Sequence, residues 1–318
     1  MNATRIFLPV IAGPTASGKT ALAVNLALRF DGEVVSADSM QIYEGLQIGT
    51  ARPTYAETEG VPHHLQGFLP LSESYSVAQY AKAAHRVIAE INLRGKQPFL
   101  CGGTGLYIDA VVDNLQFGGG GADPDLRKKL RLRAEKEGPE VLLEELRSVD
   151  KATAEKLHPN NIGRIIRALE LASVSGISMS RQVELSRSKP SPYDACIIVL
   201  DCRNREFLYD RINSRVDSMM EAGLLDEAKK ALSAPTAPTA MQAIGYKELA
   251  PFINGEITLD EAVDNLKRAT RRYAKRQLSW FHRRKDSHFL YIDDYSDFQA
   301  IADAAASVLE GNVHGHLY

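Results

Sequence analysis

Gly13-Pro14-Thr15-Ala16-Ser17-Gly18-Lys19-Thr20 fits the pattern G-x-x-x-x-G-K-[ST], and the chemistry of that pattern is the holding of phosphate. Its glycines let backbone N–H groups converge on one point, and a helix starting behind them adds a partial positive charge. Lys19 brings a full charge, and the Thr20 hydroxyl can hold a Mg²⁺ that bridges phosphate oxygens. The pattern carries this meaning only between a strand and a helix. The apolar run Ile6 to Ala12 predicts the strand, and Leu22, Leu26 and Phe30 recur at helical spacing behind the loop. With both flanks present, a chance match in an ordinary turn is the weaker reading. The stretch predicts a binder of a diphosphate or a nucleotide.

Other residues of the right type lie where strands should end. Glu33 to Ser36 predicts a short strand leading into Ala37-Asp38-Ser39-Met40-Gln41. In open α/β sheets the ligand lies beyond the carboxyl ends of the strands, so Asp38 can serve as general base, metal ligand or loop cap. Pro98 to Cys101 predicts a buried strand ending in Gly102-Gly103-Thr104-Gly105-Leu106-Tyr107. Glycines at that place suit close approach of backbone to a ligand, and Thr104 offers one directed hydrogen bond. Cys196 to Asp201 predicts another strand, whose Asp201 is either a metal ligand or strand-end punctuation. The stretch Asn204 to Gly223 predicts a helix carrying Arg211 and Arg215 on one face, from which one could reach bound phosphates. The adjacent His63 and His64 lack the Cys or carboxylate company of a metal site.

The elements that position these residues set the architecture. The chain of 318 residues predicts a parallel α/β sheet core, residues 1–117 and 196–318, interrupted by an all-helical insertion, residues 118–195. Ser76 to Arg94 and Ile162 to Val174 are amphipathic helices, and Gly118 to Gly121 reads as a flexible junction. Gln242 to Lys247 reads as a loop entering a helix. His288 to Ile292 predicts a last strand before a closing helix, with His314 and His316 in a frayed tail. No apolar run approaches a membrane span, and Cys101, Cys196 and Cys202 form no C-x-x-C, which favours a reducing, cytoplasmic setting.

Net charge is −2, but it is unevenly spread. Lys267, Arg268, Arg271, Arg272, Lys275, Arg276, Arg283, Arg284 and Lys285 form a block of nine basic residues with no acidic one among them. The remainder carries 29 basic against 40 acidic residues. Read as one long helix, the block lacks the i,i+4 acidic partners of an ordinary solvated face, which favours contact with a polyanion. In the insertion, Arg127, Arg164 and Arg167 are either further anion contacts or surface charges.

Taken in order, the phosphate loop, Asp38-Ser39-Met40-Gln41-Ile42-Tyr43, Ile48-Gly49-Thr50-Ala51, Pro62-His63-His64, Gly102 to Tyr107, Arg167-Ala168-Leu169-Glu170 and Tyr273-Ala274-Lys275-Arg276-Gln277 resemble the bacterial tRNA dimethylallyltransferases, a family of tRNA prenyltransferases, over nearly the whole chain. The fold the resemblance implies is a P-loop NTPase-like core with a helical insertion that contacts tRNA. The activity it implies is transfer of a dimethylallyl group from dimethylallyl diphosphate to N6 of the adenosine 3′ of the anticodon, in tRNAs reading codons that begin with U.

The resemblance assigns Gly13 to Thr20 to the donor diphosphate, with Mg²⁺ at Thr20, so that a nucleotide-binding or ATP-binding label rests on the motif alone. It makes Asp38 the general base, Thr104 a hydrogen-bonding partner at the reacting end and Arg215 a stabiliser of the leaving group. The implied tRNA contacts are Asp38, Ser39, Met40, Gln41, Thr104, Arg127, Asn160, Asn161, Ile162, Gly163, Arg164, Gln242, Ala243, Ile244, Gly245, Tyr246 and Lys247; the charge of the basic block adds Arg271, Arg272, Lys275 and Arg276. The implied oligomeric state is a monomer. A prenyltransferase acting on free adenylate shares the core but needs neither insertion nor basic block. A P-loop small-molecule kinase would turn over ATP, and a non-catalytic RNA-binding module leaves the phosphate loop unexplained.

Overall fold

The computed structural model describes residues 5–118, 121 and 123–314. These form two compact units, residues 1–112 with 191–318, and residues 113–190.

The larger unit is built on a six-stranded parallel sheet: β1 (Ile6–Ala12), β2 (Gly32–Ser36), β3 (His63–His64), β4 (Gln97–Gly102), β5 (Tyr193–Asp201) and β6 (Ser287–Tyr291), in the order β3-β2-β4-β1-β5-β6. Near-continuous apolar runs suit strands covered on both faces. Ile11, Val34, Phe99, Ile198 and Leu200 pack on one face, and Leu8, Val10, Val35, Leu100, Ile197 and Val199 on the other. Pro9 brings no N–H to the central strand; pairing of β1 with β4 starts only at Val10, and Gln97 Nε2 donates to the Phe7 carbonyl at 3.0 Å. Strand β5 starts at Tyr193, three residues before its apolar run, because Tyr193 to Ala195 pair with Ile6 to Leu8.

Helices α1 (Lys19–Arg29), α2 (Tyr55–Thr58), α3 (Val77–Leu93) and α4 (Gly105–Val112) precede the smaller unit, which holds α5 (Pro124–Glu137), α6 (Pro139–Val149), α7 (Lys151–Ala154), α8 (Ile162–Ser175) and α9 (Met179–Ser186). No strand occurs among the described residues of that unit, as its polar helical pattern predicts. Its core gathers Leu130, Leu142, Leu146, Ile165, Ile166 and Leu169. Of the Gly118 to Gly121 junction, Gly119 and Gly120 lie outside the described residues.

The return to the sheet brings α10 (Arg205–Glu221), α11 (Leu224–Ser233), α12 (Tyr246–Ile253), α13 (Leu259–Phe281) and α14 (Phe298–His314). Two expectations change here. The basic block is not one helix: α13 ends at Phe281, and Arg283 to Lys285 lie in the turn before β6. The predicted frayed tail is shorter, because α14 runs to His314; His316 lies outside the described residues. The two-residue β3 escapes periodicity altogether. It holds to the sheet edge through Val34 and Val35, with His64 Nε2 2.6 Å from Glu33. All three cysteines are free and buried, and no helix among the described residues is long and apolar enough to cross a membrane.

Candidate active site

The sheet order reverses beside β1, whose neighbours β4 and β5 come from distant parts of the chain, and the crevice at such a point is where α/β sheets bind ligands. A cavity of about 1380 Å³ opens there. Thr15, Ala16, Gly18, Lys19 and Thr20 line it. Gly13 and Gly18 hold φ of +142° and +93°, and a Cβ on Gly13 would stand 2.6 Å from the Leu200 carbonyl, so the turn leaving β1 demands glycine. Gly18 caps α1 without a side-chain bond, leaving the helix's first N–H groups toward the loop. Gly13, Pro14 and Ser17 lie behind the lining. The Pro14 carbonyl accepts from Lys19 Nζ at 2.7 Å, and the buried Ser17 hydroxyl has no partner among the described residues.

Arg211 and Arg215 also line the cavity, and Arg211 Nε donates to the Ala16 carbonyl at 2.8 Å, fastening α10 to the loop. Burial drives the Lys19 amine down to about 8, with Arg215 adding to the lowering and Cys101 and Asp38 opposing it. Burial also lowers the Arg215 guanidinium, against the attraction of Glu57 and Asp38. Lys19 is therefore charged below about pH 8 and neutral above it. A bound diphosphate restores the charged form, so affinity for inorganic diphosphate should fall by up to about tenfold per pH unit above that value. Calorimetric titration from pH 7 to 9 checks this, with Lys19→Met as the variant in which this contribution is missing.

Asp38, Ser39, Met40 and Gln41 face the same cavity. Asp38 Oδ1 accepts from the Met40 N–H at 2.9 Å, a local turn that fixes the carboxylate. Thr104 stands just behind: its Oγ1 accepts from the Ser39 N–H at 3.1 Å and donates to Ser39 Oγ at 3.3 Å. Gln41 is spent inside the protein, its carbonyl oxygen accepting from Ser36 and Gln66 and its NH₂ donating to the Thr50 and Ala51 carbonyls. Thr20 and Asp38 are hard oxygen donors, the kind Mg²⁺ takes in ones and twos while phosphate supplies the rest, so the residues fit that ion. Cys101, also in the wall, is pushed up to about 12 by burial and stays a thiol.

The second glycine loop packs closely against neighbouring segments. A Cβ on Gly102 would meet the Ala37 carbonyl at 2.2 Å, one on Gly103 the Gln277 amide at 2.1 Å, and one on Gly105 the Trp280 ring at 2.2 Å. These glycines admit neighbouring protein, and Gly102 also lines the cavity. Asp201 is likewise a structural anchor: its oxygens take the Cys202 N–H, Arg205 and His282, and it does not line the cavity.

Among the remaining candidates, Gln242, Ala243, Ile244, Gly245 and Lys247 line the cavity, whereas Tyr246 is buried and donates to Glu227 at 2.7 Å. Arg276 reaches the lining; Arg272 and Lys275 are exposed, and Arg271 is occupied by Asn213 at 2.7 Å. In the helical unit Asn160, Asn161, Gly163 and Arg164 are exposed and Ile162 is half-buried at the start of α8, while Arg127 grips the buried Glu170 through two bonds of 2.7 and 2.8 Å. Arg167 joins it at 2.5 Å from within α8, so two of the arginines suspected of anion contact are taken up by Glu170, and one of them, Arg127, ties α5 to α8.

Three further site residues are given no role by the sequence reading. Glu227 accepts from the Gln47, Ile48 and Gly49 N–H groups and holds that loop against the cavity; nothing in its local sequence marks it. Tyr273 and Gln277, the two ends of one motif of the family resemblance, turn inward from the basic stretch, where two polar residues at i,i+4 share the buried face of Ala274 and Leu278. The Tyr273 phenol stands beside Thr104 and Gln277, and burial raises its pKa, so it stays protonated.

A parallel sheet with a glycine–lysine phosphate loop at its switch point defines an α/β protein of the phosphate-loop type. Within that class the chain belongs to the IPP transferase family, whose model matches residues 41–285. It is 43% identical to the tRNA dimethylallyltransferase of Caldanaerobacter subterraneus over 311 residues, 97% of this chain and 99% of that protein. The crystal structure of a full-length tRNA isopentenylpyrophosphate transferase from Bacillus halodurans superposes with a TM-score of 0.71 at 43% identity, covering 98% of this chain and 99% of that one. A eukaryotic dimethylallyltransferase caught acting on tRNA gives 0.79 at 28% identity, covering 95% and 78%.

Proposed function

We propose that this enzyme is a tRNA dimethylallyltransferase, moving the dimethylallyl group of dimethylallyl diphosphate to N6 of the adenosine 3′-adjacent to the anticodon in tRNAs that read UNN codons. The observation that carries this reading is that one cavity holds a phosphate loop and the Asp38 carboxylate together. The bond from the allylic carbon to diphosphate oxygen breaks, its electron pair leaves with the diphosphate, and the carbon bonds to N6. Asp38 takes the proton that N6 gives up. Loop N–H groups, Lys19 and Arg215 hold the charge that grows on the leaving oxygens. Thr20 would hold a Mg²⁺ together with the diphosphate, and such an ion, when bound, would further neutralise that charge. Thr104, tied to Ser39, keeps the Asp38 loop in place beside the acceptor.

The adenosine must leave its stack to enter, which costs least in a single-stranded loop. Exposed Arg272 and Lys275 and the exposed start of α8 are the surfaces we assign to the RNA backbone. The chain works as a monomer in this reading. The test is mass spectrometry of nucleosides from an unmodified UNN-reading tRNA incubated with protein, Mg²⁺ and dimethylallyl diphosphate, without ATP. An adenosine heavier by one prenyl unit next to the anticodon is expected. Prenylated free AMP with untouched tRNA would replace this reading by that of an adenylate prenyltransferase.

A further inference from the structure

Gln277 lies in the most basic part of the chain, yet only 5% of it is exposed. Both ends of its amide are in use. Oε1 accepts from the Thr15 N–H of the phosphate loop at 2.9 Å, and Nε2 donates to the Gly103 carbonyl at 2.9 Å, one residue before Thr104. The absent Cβ of Gly103 is what lets that amide in. A side chain with an acceptor and a donor at fixed separation is needed for both bonds; Glu offers only the acceptor and Met neither. One turn earlier on the same face, Tyr273 sets its hydroxyl beside Gln277 and Thr104.

Resting on the prenyl-transfer reading above, we propose that Gln277 is a positioning residue: it braces the phosphate loop against the Gly103–Thr104 loop and so sets the leaving diphosphate in register with the adenosine. Gln277 borders the cavity, but both ends of its amide are spent on protein loops. Its effect comes through the spacing of two loops that hold one reactant each, and transfer between bound groups is steeply sensitive to such spacing. Because the two bonds reach different loops, they are separable.

Gln277→Met keeps the volume and loses both bonds; Gln277→Glu keeps the acceptor for Thr15 and turns a carboxylate on the Gly103 carbonyl. The readouts are the affinity for inorganic diphosphate by calorimetry, kcat and KM for prenyl transfer to tRNA, and Tm, measured well below unfolding. Gln277→Glu is expected to bind diphosphate within about twofold of wild type while kcat falls at least about tenfold. Gln277→Met is expected to lose both, with kcat/KM for the donor down at least about tenfold. Wild-type kcat and diphosphate affinity in both variants, with or without a lower Tm, would overturn the proposal and leave a packing role. If Gln277→Met does not fold, Gln277→Glu decides alone. A wild type that prenylates no RNA sinks the transfer reading itself, and the diphosphate affinities, which need no acceptor, tell that failure from the failure of the Gln277 role.

Discussion

Asp38→Asn is expected to cut the single-turnover rate of prenyl transfer by about a hundred- to ten-thousand-fold, the usual range for removal of a general base. Diphosphate affinity should hardly change. Asparagine keeps the oxygen that accepts from the Met40 N–H at 2.9 Å, so the turn and the neighbouring Ser39–Thr104 contact have no reason to move. What it cannot do is take a proton. The exocyclic amine of adenine is a poor nucleophile because its lone pair is delocalised into the ring, and bond formation makes that nitrogen acidic. A loss smaller than about tenfold, at saturating donor and RNA, would remove Asp38 from the base role. Asp38→Ala confuses two effects, since it also deletes the cap.

The second large effect is on stability, in the helical unit. Glu170 is 0% exposed and accepts from Arg127, Arg167 and the Asp123 N–H. Burial works to raise its pKa, but those hydrogen bonds overcome it and bring the carboxyl from an ordinary 4.5 to about 2. A carboxyl depressed in the folded state stabilises above its unfolded pKa and loses that contribution as pH falls through the folded one. The window here runs from about 4.5 down to about 2, at about 1.4 kcal/mol per unit, or about 3 kcal/mol in all. Glu170→Gln should therefore cost the unit about 3 kcal/mol at neutral pH, short of the upper range for a broken buried pair because both arginines are partly exposed and can rehydrate. Hydrogen exchange of residues 113–190 isolates the unit from the rest of the chain, where a single melting curve would not. The difference between variant and wild type should shrink as pH is lowered toward 2; a difference that stays constant would mean that Glu170 acts by packing alone.

The same network recasts Arg127. Arg127→Ala should lower protection throughout the helical unit, and any loss of RNA binding would follow from that. The sequence shows two arginines and an acid, and at positions 127 and 170 it has no means of showing that they meet.

Sequence alone determined the phosphate loop, the strands from Ile6, Gly32, Gln97 and Ser287 to within a residue, the helical character of the insertion, and the pair Arg211 and Arg215 on one face. Each is written in neighbouring residues, as a turn that needs glycine, a run that needs two covers, or a spacing of four. Only the tertiary structure decided which side of each element faces the cavity and what each polar group touches there. Gln277 reaches Thr15 across 262 positions, Glu227 reaches Gly49 across 178, and the glycines at 102, 103 and 105 answer to Ala37, Gln277 and Trp280. Such pairings are made where distant segments cross at the ends of the strands, and what sets them is the space left between packed side chains, which no window of sequence contains.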